Sequence, residues 1–348
     1  MTQTYQVIEE NQRILLNLLS NILGKTPYVM LMDIPSHKNK GDSAITVGEV
    51  MIIKKLRKRI LFYCETYDCA QDRYLERAIS ISKKFSVNEI AILLHGGGNL
   101  VGYDSIDVLR EKILNTFPEH KIVLLSQSIW LHDNYTEHLE FCSQVYSNRS
   151  NLSIFLRDKQ SLAIAQENFK DVKLFLAPDM AFGIGHVPRI LPPYFDIVWL
   201  RRNDRESSKY EIPSFPRGVS IHISDWRSAW PSNEGKTDLD NAFNIAHAGF
   251  SFLQRGRIVI TDRLHGHILS VLMDIPHVLI DNPPFYKLSS FDQTWTEGLE
   301  NTVLVTNGSN ALQEALLLLA KYNHTLPEIG PSDMHVNGIE ISSFNKLI

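Results

Sequence analysis

At 348 residues, 44% of them hydrophobic and 21% charged, the chain is long for a single hydrophobic core, and two units are the expected organisation. A net charge of −4 excludes the broad basic footprint of a nucleic-acid binder; the one basic run, Lys54 to Arg59, is expected at a helix end, where cations complement the helix dipole. No stretch reaches the roughly 18 apolar residues of a membrane span, and Glu9 and Glu10 ahead of Arg13 break the charge order of a signal peptide, so a cytoplasmic protein is expected, with peripheral attachment to the inner membrane face as the alternative.

In chain order, Ile14, Leu15, Leu18, Leu19, Ile22 and Leu23 define one face of an N-terminal helix that stops at Gly24. Apolar runs then recur at 28–34, 60–64, 90–94, 122–125, 152–156 and 173–176, with helical patterns between them. Such alternation implies right-handed crossovers and a mainly parallel sheet covered on both faces. Cys64, Cys69 and Cys142 form neither a CxxC pair nor a His-adjacent cluster, so inert free thiols are expected, with no zinc site and no disulfide.

Gly183, Gly185, Pro188, Pro192 and Pro193 interrupt the pattern near 185–194. Runs at 195–200, 219–223, 257–261, 277–281 and 302–306, interleaved with helices such as 238–254 and 310–321, build a second series. The fold class is therefore α/β, with two doubly wound Rossmann-like domains, 1–186 (including the N-terminal helix) and 187–348, facing across a cleft.

Polar residues and glycines gather at the carboxyl ends of these strands, where open α/β sheets bind ligands. They include Ser36 to Ser43, His95-Gly96-Gly97-Gly98-Asn99, Ser126-Gln127-Ser128, Arg157-Asp158, Pro178-Asp179, Arg201-Arg202-Asn203-Asp204, Asp225-Trp226 and Asp262-Arg263-Leu264-His265. The last is the most informative. An all-apolar strand, Ile258 to Ile260, runs into Asp-Arg-Leu-His-Gly-His and then an apolar-periodic helix, placing a cation and two imidazoles at a strand end and a helix N-terminus. A guanidinium fork suits phosphate or carboxylate, and a neighbouring imidazole can carry a proton near neutral pH.

The blander uses of these residues are also open: an arginine at a helix start can pair with a nearby acid, and a glycine run can merely permit a tight turn. Asp158 is expected to cap its helix rather than react. The Gly96–Gly98 run fits no dinucleotide fingerprint, because Val101 falls where the third glycine belongs, and no phosphate-binding GxxxxGK[ST] loop occurs. His265 and His267 could ligate a metal, but no third ligand is fixed by spacing, so none is expected.

Taken in order, Asn39-x-Gly41-Asp42, His95-Gly96-Gly97-Gly98-Asn99, Gln127-Ser128, Arg157-Asp158-x-x-Ser161, Pro178-Asp179-Met180-Ala181, Leu200-Arg201-Arg202-x-Asp204-x-Glu206 and Asp262-Arg263-Leu264-His265-Gly266 resemble the polysaccharide pyruvyl transferases, from about residue 28 to 306. The resemblance implies a fold similar to glycosyltransferase B. It implies transfer of an enolpyruvyl unit from phosphoenolpyruvate to a hexose of a polysaccharide or its precursor, closing a cyclic ketal and releasing phosphate without a cofactor. It places Arg157, Arg263 and His265 at donor-binding and catalytic positions.

The residue types fit that chemistry. Phosphoenolpyruvate carries a carboxylate and a phosphate, which Arg157 and Arg263 can clamp from opposite domains, with Gly97, Gly98 and Asn99 close by. Protonation of its methylene carbon needs an acid, for which His265 is the first candidate and His267 or His95 the reserve. Asp42 or Asp179 is expected to accept a hydroxyl proton, and Arg202, Asp225 and Trp226 to meet a free, polymeric or lipid-linked sugar.

Three rival readings remain. A glycosyltransferase B-type sugar transferase would share the fold. A GDS-type esterase would use Ser43 as nucleophile with Asp262 and His265, although seven residues, Pro35 to Gly41, separate Ser43's turn from Ile34. A non-catalytic anion-binding protein would use the same arginines.

Overall fold

Short apolar runs fenced by amphipathic helices become two parallel sheets. The computed structural model describes residues 3–130, 135–204, 206, 207, 209–229, 238–281, 283 and 286–330. The first half comprises α1 (Gln3–Leu23), β1 (Tyr28–Ile34), α2 (Lys40–Lys55), β2 (Arg59–Glu65), α3 (Thr66–Cys69), α4 (Asp72–Ser82), β3 (Ile90–Leu94), α5 (Asp104–Thr116), β4 (Lys121–Gln127), α6 (Thr136–Tyr146), β5 (Leu152–Leu156), α7 (Lys159–Asn168) and β6 (Lys173–Leu176). The second comprises β7 (Phe195–Leu200), β8 (Ile221–Ser224), α8 (Trp226–Ala229), α9 (Asp238–Leu253), β9 (Gly256–Thr261), α10 (Leu264–Leu272), β10 (His277–Ile280), α11 (Lys287–Trp295), β11 (Thr302–Val305) and α12 (Gly308–Tyr322).

The strand orders are β2-β1-β3-β4-β5-β6 and β11-β10-β9-β7-β8. All neighbours are parallel. Read from its other edge, the second sheet repeats the winding of the first, so each has one point where the chain reverses direction across the sheet: between β1 and β3, and between β7 and β9. Loops leaving such a pair diverge to opposite faces and open a crevice between them. Register sets what enters each crevice. Met32 pairs with Leu94, so Asp33 and His95 leave side by side; Leu200 pairs with Thr261, so Arg201-Arg202 and Asp262-Arg263 do the same.

A continuous apolar cluster runs through both halves, including Leu31 and Ile45 of the first and Phe250, Val259 and Ile268 of the second. α1 buries Leu15, Leu19 and Leu23 in it and stops at Gly24, whose φ of +55° is the left-handed conformation that ends helices. Although it precedes β1, α1 also reaches the second half: Gln3 Nε2 donates to the Gly298 carbonyl at 2.9 Å and Asn301 Nδ2 donates to Thr4 Oγ1 at 3.3 Å. α2 crosses the 3₁₀ turn Met180–Ile184 so closely that a Cβ at Gly48 would lie 1.8 Å from the Met180 carbonyl oxygen.

The cysteines correct one expectation. Cys64 and Cys69 are disulfide-bonded, with Cα atoms 5.5 Å apart. α3 turns the chain back immediately after β2, bringing together two sulfurs whose spacing matches no CxxC pattern. Cys142 is free and buried, and burial pushes its thiol up. The basic run Lys54–Arg59 lies at the carboxyl end of α2, opposite the end that meets the crevice. Among the described residues, no helix is long and apolar enough to cross a membrane.

Candidate active site

The two crevices face each other and enclose a cavity of about 640 Å³, with walls drawn from both halves. The segments that leave β1, β3 and β5 bring Asp42, in the first turn of α2, with Gly97, Gly98, Asn99 and Arg157; those that leave β7 and β9 bring Arg202, Arg263 and, in the first turn of α10, His265. Trp226, at the start of α8, also lines it, whereas Asp179 and Asp225 lie behind the lining, buried against its arginines.

Arg157 is held on two sides. Its Nε donates to Ser128 Oγ at 2.6 Å and its Nη1 to Asp179 Oδ2 at 2.7 Å. The third nitrogen, Nη2, lies against Gly98, where a Cβ would come within 2.9 Å of it. Trp295 Nε1 bonds the Arg157 carbonyl at 2.8 Å, fixing the residue from the second half. Burial raises Asp179, but His265, Arg157 and the Ala181 N–H outweigh it and hold the carboxyl well below its usual range.

Arg263 is held more tightly still. Its Nε and Nη2 donate to both oxygens of Asp225, at 3.0 and 2.7 Å, and Nη2 also reaches Asp204 Oδ2 at 2.9 Å. Arg202 spans Asp204 and Glu206, with an Nη1–Glu206 Oε2 distance of 2.8 Å, and Lys287 Nζ meets the same Glu206 oxygen at 2.9 Å. These pairs tie each guanidinium fork to a carboxylate and leave the cavity's positive charge largely matched.

His265 stands in the first turn of α10, its Nε2 3.4 Å from Asp179 Oδ2 without a hydrogen bond to it. Its ring lies on the backbone of α2, and a Cβ at Gly41 would fall 2.4 Å from its Nδ1. His267, two residues on, faces away from the cavity. Its Nδ1 and Nε2 contact His277 Nε2 at 2.7 Å and Thr296 Oγ1 at 2.9 Å, and burial pushes both imidazoles down to about 3. Its role is packing.

The esterase constellation does not assemble. Ser43 is buried at 1% exposure and outside the cavity lining, while Asp262 Oδ1 accepts the Arg202 backbone N–H at 2.8 Å instead of holding His265. Burial pushes the Asp262 carboxyl up to about 6. Asp158 caps α7, accepting the Ser161 N–H at 2.8 Å, as its position after β5 predicts.

On the opposite wall, His95 Nδ1 meets Glu49 Oε2 at 2.9 Å, and the other Glu49 oxygen accepts the Gly96 N–H at 2.8 Å. Asn99 is fixed by Arg110, whose Nη1 and Nη2 bond its carbonyl and Oδ1 at 2.8 and 2.9 Å, while the Arg110 Nε meets Asp33 at 3.2 Å. Asp42 accepts from Asn39 Nδ2 at 2.6 Å; burial raises it, yet His37, His265, His95 and Arg157 hold it below the ordinary carboxylate range.

The residues that strand-end reasoning passed over are Glu49, Arg110 and Lys287. Two of them carried a signal: Glu49 falls one turn after Ile45, and Arg110 one turn after Ile106, so each puts a charge on its helix's inward face. Lys287 gave none, because its pairing with Glu206 crosses from α11 to the loop after β7.

Fold and site together define a two-sheet α/β protein whose interface cleft gathers arginines from both halves, each paired with a carboxylate, beside an imidazole. The sequence profile of the polysaccharide pyruvyl transferases matches residues 39–284, and the chain belongs to that family of transferases. It is 32% identical to pyruvyl transferase 1 of Schizosaccharomyces pombe over 85% of this chain and 76% of that protein. It is 28% identical to a putative pyruvyl transferase, EpsO, of Bacillus subtilis over 89% and 97% of the two chains. The crystal structure of an uncharacterised Klebsiella pneumoniae protein shares the fold, with a TM-score of 0.59 at 18% identity over 85% of this chain and 99% of that one.

Proposed function

We propose that the protein takes phosphoenolpyruvate as donor and joins its pyruvyl unit to two hydroxyls of a saccharide, O4 and O6 of a hexose, as a cyclic ketal. Phosphate is the leaving group, so no cofactor is required. The observation that carries this reading is a pair of arginines, Arg157 and Arg263, brought from opposite halves to one cavity, each with part of its fork locked by a carboxylate and with His265 beside them. A clamp fixed before the ligand arrives loses little entropy on binding and distinguishes a dianionic or trianionic donor from a neutral one.

In this reading His265 protonates the donor's methylene carbon, and the positive charge that develops on the neighbouring carbon draws in the first hydroxyl. Phosphate departs, the second hydroxyl closes the ring, and Arg202 and Trp226 border the acceptor side. The basic run at the far end of α2 would turn the cleft away from any membrane that it touched, because a helix of 16 residues places it about 24 Å from the cavity.

The test is phosphate release with phosphoenolpyruvate and a panel of nitrophenyl hexosides, alongside calorimetric donor binding. His265→Ala is expected to lower turnover by about a hundredfold or more while donor affinity changes far less. Arg263→Lys keeps Asp225 paired but loses the fork, so its effect should fall chiefly on donor affinity. Near-normal turnover in His265→Ala removes it from the acid role, and a sugar nucleotide that binds where phosphoenolpyruvate does not makes an ordinary sugar transferase the better reading.

A further inference from the structure

Closing a ketal requires a base as well as an acid, because each attacking hydroxyl must lose a proton. Asp179 has its carboxylate taken up by Arg157 and the Ala181 N–H, at 0% exposure, and Asp42 shares its own with Asn39 and His37. Both are held below the usual carboxylate range, which makes them weak acceptors near neutral pH.

We infer that His95, oriented by Glu49, is the base that accepts the acceptor hydroxyl's proton, so that the reaction runs between two histidines from opposite walls, His95 and His265. The inference rests on the pyruvyl-transfer reading above. Its ground is geometric. His95 lines the cavity at 4% exposure, its Nδ1 is tied to Glu49 at 2.9 Å, and its Nε2, also buried, has no hydrogen-bond partner among the described residues.

A buried ring nitrogen without a partner costs free energy unless something in the cavity satisfies it. Glu49 is 0% exposed, and its second oxygen is fixed by the Gly96 N–H, so it cannot swing away. The arrangement, a buried carboxylate holding one nitrogen of a cavity-lining imidazole whose other nitrogen has no partner among the described residues, is a general solution for orienting a histidine base and stabilising the imidazolium that forms. Burial alone would lower the His95 imidazole, but Glu49, together with the charges of Asp33 and Asp42, holds it above its ordinary value.

Proton accounting closes with two histidines. His265 gives its proton to the methylene carbon, which becomes the methyl group. The first hydroxyl's O–H bond breaks toward His95 Nε2 as its oxygen bonds the central carbon, and His95 passes that proton to the departing phosphate. The second hydroxyl then attacks the same carbon, and its proton reloads His265. The products are a ketal carboxylate and monohydrogen phosphate, and both imidazoles end as they began.

The experiment compares wild type with His95→Ala, His95→Gln and Glu49→Gln in phosphoenolpyruvate-dependent phosphate release across pH, with circular dichroism melting and calorimetric donor binding as controls on folding. Both His95 variants should lose about a hundredfold or more in turnover while binding donor with nearly unchanged affinity. Glu49→Gln keeps the Gly96 contact but removes the charge that favours imidazolium, so the limb on which the rate rises with pH should move to lower pH. A merely structural Glu49 would lower the melting temperature and leave that limb in place. Folded, donor-binding His95 variants with near-normal turnover overturn this inference and leave pyruvyl transfer intact; a wild type that releases no phosphate with any acceptor overturns both.

Discussion

Gly41→Ala isolates the positioning of His265, because it alters neither charge nor any group that touches the cavity's ligand. Gly41 sits in the first turn of α2, where alanine is otherwise favoured over glycine by about 0.5–1 kcal/mol. Against that gain, the added Cβ would fall 2.4, 2.5 and 2.6 Å from Nδ1, Cγ and Cβ of His265. Ordinary carbon contacts are about 3.5–4.0 Å, so one partner must retreat by roughly 1 Å. α2 is anchored by the Asn39 cap and its crossing of the Met180–Ile184 turn, so the imidazole is the part that moves. Overpacking costs about 1–3 kcal/mol, which exceeds the helix gain. A melting loss of only a few degrees is expected, since each kcal/mol shifts a 150–250-residue domain by about 2–4 °C and a longer chain by less. Turnover should suffer far more, by about a hundredfold, because a misplacement of about 1 Å at a reacting group has that effect. Phosphate release and thermal melting on the same preparation check both numbers. Turnover within about threefold of the parent would refute the claim that His265 must lie on the α2 backbone to act.

Two further substitutions probe the supports of the site. Arg110→Met should leave Asp33 buried without its guanidinium and remove the two Arg110 contacts that hold Asn99, lowering the denaturation midpoint by the equivalent of about 3–5 kcal/mol and weakening donor binding; an unchanged midpoint would show that Asp33 is neutral in the native state. His267 and His277 are kept neutral by burial, pushed down to about 3, whereas in the unfolded chain they take up protons near about 6.5, so their contribution is complete above about pH 6.5 and is lost as pH falls toward 3. Melting temperature should therefore fall over that range, and His277→Asn should flatten the slope; an unaltered slope would mean that other groups carry it.

Most of the fold was legible because period and punctuation agreed along the chain. The predicted run at 28–34 is β1 to the residue, and 90–94, 152–156, 173–176 and 195–200 coincide with β3, β5, β6 and β7. The run at 219–223 shifted to Ile221–Ser224, where pairing with β7 rather than hydropathy sets the limits. Strand-end reasoning also gathered Arg157, Arg202, Arg263 and His265 into one cavity. It could not assign partners, since Asp225 and Asp179 look like cavity residues in sequence yet stand behind the arginines as their counter-ions. Nor could it tell His265 from His267: both occupy one helical turn, and only packing against Gly41 on one side and His277 on the other separates the cavity-lining imidazole from the core one.

The carboxylates set the charge with which the proposed donor would have to contend. Arg157, Arg202, Arg227, Arg263 and Lys287 are paired with Asp179, Asp204, Asp225 and Glu206, so the cations that line the cavity arrive already neutralised. That pairing lets five basic groups coexist at close range, where their mutual repulsion would otherwise oppose folding. It also leaves little net charge for a trianionic donor. An arginine cannot alter this balance, because it stays protonated at any physiological pH. An imidazole can, since it gains or loses its charge near neutrality. In the proposed reaction His265 and His95, which line opposite walls, give and accept the protons while the bonds rearrange. In the proposed reaction the arginines hold the donor and these two side chains turn it over.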